Sequence, residues 1–259
     1  MWPIYVINLD REPARLASMA AQLDGLGLGW QRVAARDRLR EDMAAAALAF
    51  GAQPGAGPFP ATPGDFCCSL THRDIWQRTA SDEAPGAVIL EDDARLSPAF
   101  TDFMALDVTA VMTRHRLGAL KLEYWPGPQR SRRFPLGRRL GQVGAATLYR
   151  LRSSFYGTCG YAITRAGARA VLARWPAMAM PVDHFLFSRR AGRGFGLLRP
   201  GFLNPAPVLH DAGRWGSDIR GERPGTAAKA LAERSQDAGL RVEIMLTATR
   251  QVEMRFAGD

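Results

Sequence analysis

Residues 87 to 93 read Ala-Val-Ile-Leu-Glu-Asp-Asp, and no other stretch of the chain limits its fold so tightly. An apolar run rich in β-branched residues, entered through Pro85-Gly86, is the pattern of a strand buried on both faces. The run stops abruptly in Glu91, Asp92 and Asp93. Ligands of open α/β sheets sit beyond the carboxyl ends of the strands, so carboxylates gathered there can hold a divalent metal on a substrate. An acidic turn ahead of the helix start at Ser97-Pro98 is the other reading, because carboxylates favour first turns. The pattern alone leaves both open.

The flanking sequence supplies the rest of an α/β chain. Residues 4 to 9 read as a first buried strand. A helix opened by Asp10 and Pro13 follows, with Leu16, Met19, Ala20 and Leu23 on one face, and then a strand near 30 to 35. Such a strand, helix, strand unit is expected to be parallel. Helical spacing predicts helices over 39 to 50, 65 to 80, 98 to 115 and 165 to 175, with another opened by Pro181-Val182-Asp183. The second and third of these flank the strand with the acidic end, and the second puts His72 and Trp76 one turn apart. Further strands are predicted near 118 to 124, 146 to 151, 160 to 164, 196 to 200 and 207 to 210. Residues 51 to 63 and the Arg-rich stretch 125 to 144 read as loops, 214 to 225 as irregular, 227 to 238 as helix and 241 to 247 as a last strand or its continuation.

With 259 residues the chain can bury a substantial core, and 47% hydrophobic with 23% charged residues is an ordinary soluble composition. No apolar run approaches the roughly 18 residues of a membrane-spanning helix. The chain enters a strand at once, without the basic region, apolar stretch and cleavage site of a leader, so the expected location is the cytoplasm, at the inner face of the membrane where a membrane partner is involved. Cys67, Cys68 and Cys159 form neither a disulfide framework nor a zinc spacing, and reduced thiols are expected. A net charge of +9, nearly all from arginine, points to anionic partners: nucleotide phosphates, an acidic acceptor or a membrane surface. Arg130, Arg132, Arg133, Arg138 and Arg139 are either a solvated basic face or a clamp on such an acceptor.

Several separated motifs occur in one order: Tyr5 to Arg11 with Arg15, Pro63 to His72 with Trp76, Ile89 to Asp93, Lys121-Leu122-Glu123, Gly157-Thr158 with Gly160 to Ile163, and Pro181-Val182-Asp183. In that order they resemble glycosyltransferase family 25, which includes lipooligosaccharide and collagen galactosyltransferases. The family usually has Glu-x-Gly-Cys-x-Leu-Ser-His where this chain has Asp65, Cys67 and Thr71, and the match fades after Pro207.

The resemblance implies a nucleotide-sugar-binding α/β fold of the GT-A type, with a central, mostly parallel mixed sheet. We expect residues 1–225 to form the transferase domain and 226–259 a helical and strand appendage of it. It also implies an inverting, metal-dependent galactosyltransferase that takes UDP-galactose with Mn2+ or Mg2+ and builds oligosaccharide or glycolipid, with no specific nucleic acid. On this reading Asp93 and Glu91 hold the metal with His210 as a third ligand. Asn8, Asp10, Arg11, Arg15, His72, Glu91, Asp92, Lys121 and Glu123 face the donor, and Asp183 is the base. Plain alternatives stand beside each role: Asp10 as a helix cap, Arg15 on a solvent face, His72 as a structural histidine, Lys121 offsetting the acidic cluster, and Asp183 as an N-cap. Two rivals come from other classes. A metal-dependent phosphoester hydrolase or nucleotidyltransferase would want more histidines than the 4 here. A non-enzymatic basic binding protein would leave the acidic strand end unexplained.

Overall fold

Strand β1 (Ile4–Asn8) is buried from end to end, and its side chains divide by the two-residue period of a strand: Tyr5 and Ile7 to one core, Ile4 and Val6 to the other. The computed structural model describes residues 1–52, 61–127, 130–215 and 248–259. Helix α1 (Pro13–Gly25) returns the chain to β2 (Gln31–Ala34), and β1 pairs in parallel with both β2 and β3 (Gly86–Glu91). Beyond β3 come β9 (Gly160–Thr164), β5 (Ala119–Lys121), β10 (Gly201–Asn204), β8 (Ala146–Leu151), β7 (Leu136–Val143) and β12 (Thr249–Gln251). Among the described residues this makes a nine-stranded mixed sheet, in which β1, β2, β3, β5, β7 and β10 run one way and β8, β9 and β12 the other. A smaller sheet joins β4 (Ala94–Leu96), β11 (Val208–His210) and β6 (Glu123–Tyr124).

Each face of β3 feeds a separate core. Ala87 and Ile89 pack with Ile75 and Trp76 of α3 (Pro63–Ser81), Val171 of α7 (Arg165–Arg174) and Phe185 of α8 (Val182–Phe187). Val88 and Leu90 pack with Met19 and Leu23 of α1, Phe100 and Phe103 of α4 (Pro98–Ala105) and Met112 of α5 (Val108–Arg114). Helices therefore cover both sides of the sheet, which explains why the strand reads as a continuous apolar run.

Several predicted boundaries move for identifiable reasons. Helix α2 is Met43–Phe50 because Asp42 caps it, accepting from Ala44 N and Ala45 N, so Leu39 lies outside it and is exposed. Helix α3 begins at Pro63 through a capping box between Thr62 and Asp65. The helix expected over 98 to 115 is two, broken at Leu106-Asp107, where Asp107 caps α5. Stretch 125 to 144 is not one loop. It contains the turn α6 (Arg130–Arg133) and the long strand β7, which forms a hairpin with β8 through Gly144 at φ 57°. The strand expected over 196 to 200 is instead helix α9 (Arg193–Leu198), ended by Arg199 in the left-handed conformation, and the strand follows it as β10. The predicted loop tip at 53 to 60, most of the irregular stretch, the helix over 227 to 238 and the strand over 241 to 247 lie outside the described residues, as does the boundary between 225 and 226. Strand β12 pairs with β7, so residues 249 to 251 belong to the main sheet.

Candidate active site

A cavity of about 590 Å3 opens at the carboxyl ends of β1, β2 and β3, where the strand-end rule places ligands. β1 contributes Asn8 to it, the segment after β2 contributes Arg36, Asp37 and Arg38, and β3 contributes Glu91 with the turn residues Asp92 and Asp93.

Asn8 and Arg15 fix Asp92. The Asn8 amide donates to Asp92 Oδ2 at 2.7 Å, and Arg15 Nη1 lies 3.6 Å from Oδ1. Burial, partly offset by Asn8 and Arg15, pushes Asp92 up to about 6. Arg15 is on the buried face of α1 and lines the cavity, which corrects the solvent-face alternative. Asp10 is not a cap and does not line the cavity. It is largely exposed and pairs with Arg32 and Arg40, while Glu12 occupies the N-cap position. Arg11 does line the cavity and donates to Asp37 at 3.0 Å.

Asp93 ends the turn that leads into β4 of the small sheet. Its Oδ2 lies 2.9 Å from His210 Nε2, brought there by the antiparallel pairing of β11 with β4. Burial works against the charged forms of both groups, but their pairing, helped by Cys159 and Arg15 beside Asp93 and by Glu123 and Glu91 near His210, offsets it and holds Asp93 below the usual carboxylate range and His210 above the usual imidazole value. Asp93 Oδ1 and His210 Nδ1 are buried without hydrogen-bond partners among the described residues.

Glu91 takes the opposite side. As the last residue of β3 it follows Ala87 and Ile89 toward α3, where its Oε1 is 3.2 Å from His72 Nε2 and accepts from the Thr158 hydroxyl at 2.6 Å. Among the described residues, the group of three whose ligand atoms lie within 4.8 Å of one another is Cys68, His72 and Glu91. The expected set of Asp93, Glu91 and His210 is therefore divided: Asp93 and His210 are paired, and Glu91 is held by other partners. The period of the strand is the reason.

Asp183 lies in the first turn of α8 and lines the cavity. Pro181, not Asp183, is the N-cap, and Asp183 Oδ1 lies 2.8 Å from His184 Nδ1. The cap alternative is thereby corrected. Lys121 and Glu123 do not line the cavity and are placed beneath it. Both are about 1% exposed, Lys121 Nζ donates to Glu123 Oε1 at 2.8 Å and to Gly157 O, and Phe155 and Phe187 flank the ammonium. Burial lowers the Lys121 pKa, partly offset by Glu123.

Sequence reasoning passed over several residues of the lining. Arg132, read only as one of five arginines of a solvated basic face or an acceptor clamp, is buried there, donates to Tyr156 O and lies over the Trp125 ring at 4.3 Å. Arg138 and Arg139 are exposed on β7, away from that lining. Arg36, Asp37 and Arg38 had a usable signal, since they follow a strand just as Glu91 to Asp93 do. Tyr156 and His184, whose rings are 4.5 Å apart, had none. All three cysteines are free thiols, and none of the described helices is long and apolar enough to cross a membrane.

Two insect proteins named glycosyltransferase 25 family member are similar to this chain. The one from Anopheles gambiae is 32% identical over 196 residues, and the one from Aedes aegypti 31% over 195. Each match takes in 71% of this chain but only 31% and 30% of those proteins, so the chain spans less than a third of their length. A solved glycosyltransferase involved in glycosylating the major capsid of PBCV-1 aligns over 91% of this chain and 98% of its own. Its identity is 8% and the TM-score 0.43. The model of glycosyltransferase family 25 (LPS biosynthesis protein) matches residues 1–186, which contain the ends of β1 and β3, His72 and Asp183, and the chain belongs to that family.

Proposed function

We propose that this chain is a metal-dependent, inverting glycosyltransferase of GT-A type that moves galactose from UDP-galactose to an oligosaccharide or glycolipid of the cell surface, such as lipooligosaccharide. The observation that carries the reading is the two-signed lining of the cavity, in which Asp92 and Asp93 meet Arg15 and Arg132 at a strand end. A nucleoside diphosphate and its cation call for both signs in one cleft. The donors present fit a hard divalent ion such as Mn2+ or Mg2+, because Asp93 Oδ1 is a buried carboxylate oxygen with no hydrogen on it. Asp93 and His210 would hold the ion, and Glu91, which the strand period sets apart from that pair, would join them only by turning toward them the oxygen that His72 and Thr158 leave free. Bound there, it supplies Lewis acidity for the charge that builds on the departing diphosphate.

The remaining work falls to the chain's own groups. Arg15 and Arg132 take phosphate oxygens, for which the guanidinium fork is suited, and the Asn8 amide keeps Asp92 in place. Trp125 and Tyr156 offer ring faces to the base or the sugar. Asp183 takes the proton of the acceptor hydroxyl as that oxygen attacks the anomeric carbon on the face opposite the leaving group. We place this work in the cytoplasm at the inner membrane face, where the +9 charge draws the protein to anionic glycolipid.

A thermal-shift series with nucleotide diphosphate sugars, with and without Mn2+, tests the reading. A ligand at a hundred times its dissociation constant adds about 2.7 kcal/mol, a readily seen shift. UDP-galactose is expected to raise the midpoint only with the metal and to be turned over with an inverted anomeric product. No shift from any UDP-sugar with Mn2+ sinks the proposal.

A further inference from the structure

Four side chains form a chain of hydrogen bonds that runs from the cavity wall, at Glu91 and His72, to Tyr161 and Trp76 in the core, and its direction is fixed at the buried end. Trp76 Nε1 can only donate, and it donates to the Tyr161 hydroxyl at 2.8 Å. Tyr161 is wholly buried and its pKa is raised well above the ordinary value by burial, so the phenol keeps its proton and must place it on an acceptor. His72 Nδ1, 2.9 Å away, is that acceptor. A neutral imidazole that accepts at Nδ1 carries its proton on Nε2, and Nε2 faces Glu91 Oε1 at 3.2 Å. The Thr158 hydroxyl fills the same oxygen at 2.6 Å.

We propose that His72 is a positioning residue locked in the Nε2–H tautomer by Tyr161 and Trp76, and that with Thr158 it saturates Oε1 of Glu91 and leaves Oε2 as the oxygen offered to a ligand. The lock also decides the chemistry of the neighbouring Cys68. Cys68, His72 and Glu91 are close enough together to suggest zinc, with its taste for thiolate and imidazole. A zinc ion on Nε2 would drive the histidine proton to Nδ1 and leave the Tyr161 hydroxyl hydrogen with no acceptor in a buried site, a cost the metal would have to repay. The carboxylate is thus kept for a hard cation. The part of this inference that concerns cation affinity rests on the proposed function; the tautomer does not.

With 4 histidines in the chain, nitrogen-15 labelling of histidine and long-range proton–nitrogen correlation resolve the ring, and a His72→Asn spectrum assigns it. A bare Nδ1 and a protonated Nε2 are expected, with Tyr161→Phe allowing Nδ1 to take the proton. A proton on Nδ1 in the unmodified protein overturns the proposal, and so does tight one-to-one zinc binding that Cys68→Ser abolishes. Calorimetry with Mn2+ and UDP reads the consequence. Loss of an outer partner of a ligand typically weakens metal binding about 10- to 100-fold, so His72→Ala should do that, while His72→Gln, which keeps an N–H toward Glu91, should recover most of it. Equal affinity in the Ala and Gln variants overturns the positioning role. If the unmodified protein binds no Mn2+ with UDP, the proposed function fails on that result, and the tautomer is judged by the spectrum alone.

Discussion

Asp183 carries the heaviest chemical load proposed for any single side chain, and one isosteric change isolates it. Asp183→Asn keeps the shape and a contact for His184 but cannot accept a proton, so turnover should fall by about a hundred- to ten-thousand-fold. The UDP-induced thermal shift should be unchanged. Since Pro181 holds the cap position, no capping energy confuses the result. Near-normal turnover in this variant removes the base from Asp183. Lys121 poses a different question at the same scale, because its only proposed duty is to sit paired under the cleft. Lys121→Met leaves Glu123 without its hydrogen-bonded cation, and breaking a buried pair in this way costs about 3 to 5 kcal/mol. Adding Glu123→Gln should recover most of that, since the amide oxygen still serves Gly160 N, which donates to this side chain at 2.9 Å. Urea midpoints of the single and double variants settle it: a double variant no better than the single would mean that packing around the Lys121 stem, not charge, is what matters.

Among the elements, the segment that enters β9 is tightly constrained. Gly157 has φ 106°, and a Cβ there would lie 2.1 Å from Glu123 Oε1 and 2.6 Å from Arg132 Nη2. Gly157→Ala should therefore cost at least the roughly 1 to 3 kcal/mol of a strained backbone position and shift both neighbours, seen as a lower melting midpoint together with weaker donor binding. A variant that melts with the parent would show that the turn relaxes freely. Which elements could be read from sequence follows from how they are buried. β1 and β3 are buried on both faces and α3 buries one long face while Gln77 and Arg78 stay in solvent, so their apolar runs and helical spacing are strong, and they bring Asn8, Glu91 and His72 to the site. β7 has two adjacent exposed arginines, two glycines and an irregular register in Leu-Gly-Arg-Arg-Leu-Gly-Gln-Val, so its burial does not alternate and it gives no such signal. Its pairing with β8 and β12 is what makes it a strand, and pairing is invisible in a single sequence. The same holds for Arg132, which looks like any other arginine of a basic stretch until Trp125 and Tyr156 are folded against it.

For the molecule as a whole, the terminal segment closes an edge. β12 covers the outer side of β7, and Val252, Met254 and Phe256 behind it are buried. Removing residues 248 to 259 should expose that edge and forfeit about 1.5 to 3 kcal/mol for each of these side chains, giving a lower midpoint and concentration-dependent association in light scattering. An unchanged midpoint and a monodisperse protein would show the segment to be dispensable.

The pairing of β11 with β4 reaches further than packing. The family match ends at residue 186, yet His210 comes into the cleft from beyond it and neutralises Asp93, which lies within it. Neither partner can be altered alone without stranding a buried charge, so the two positions are expected to change together or not at all. Homologues that replace the histidine should have replaced the aspartate as well, and divergence in the poorly matched carboxyl-terminal part should stop short of this one strand.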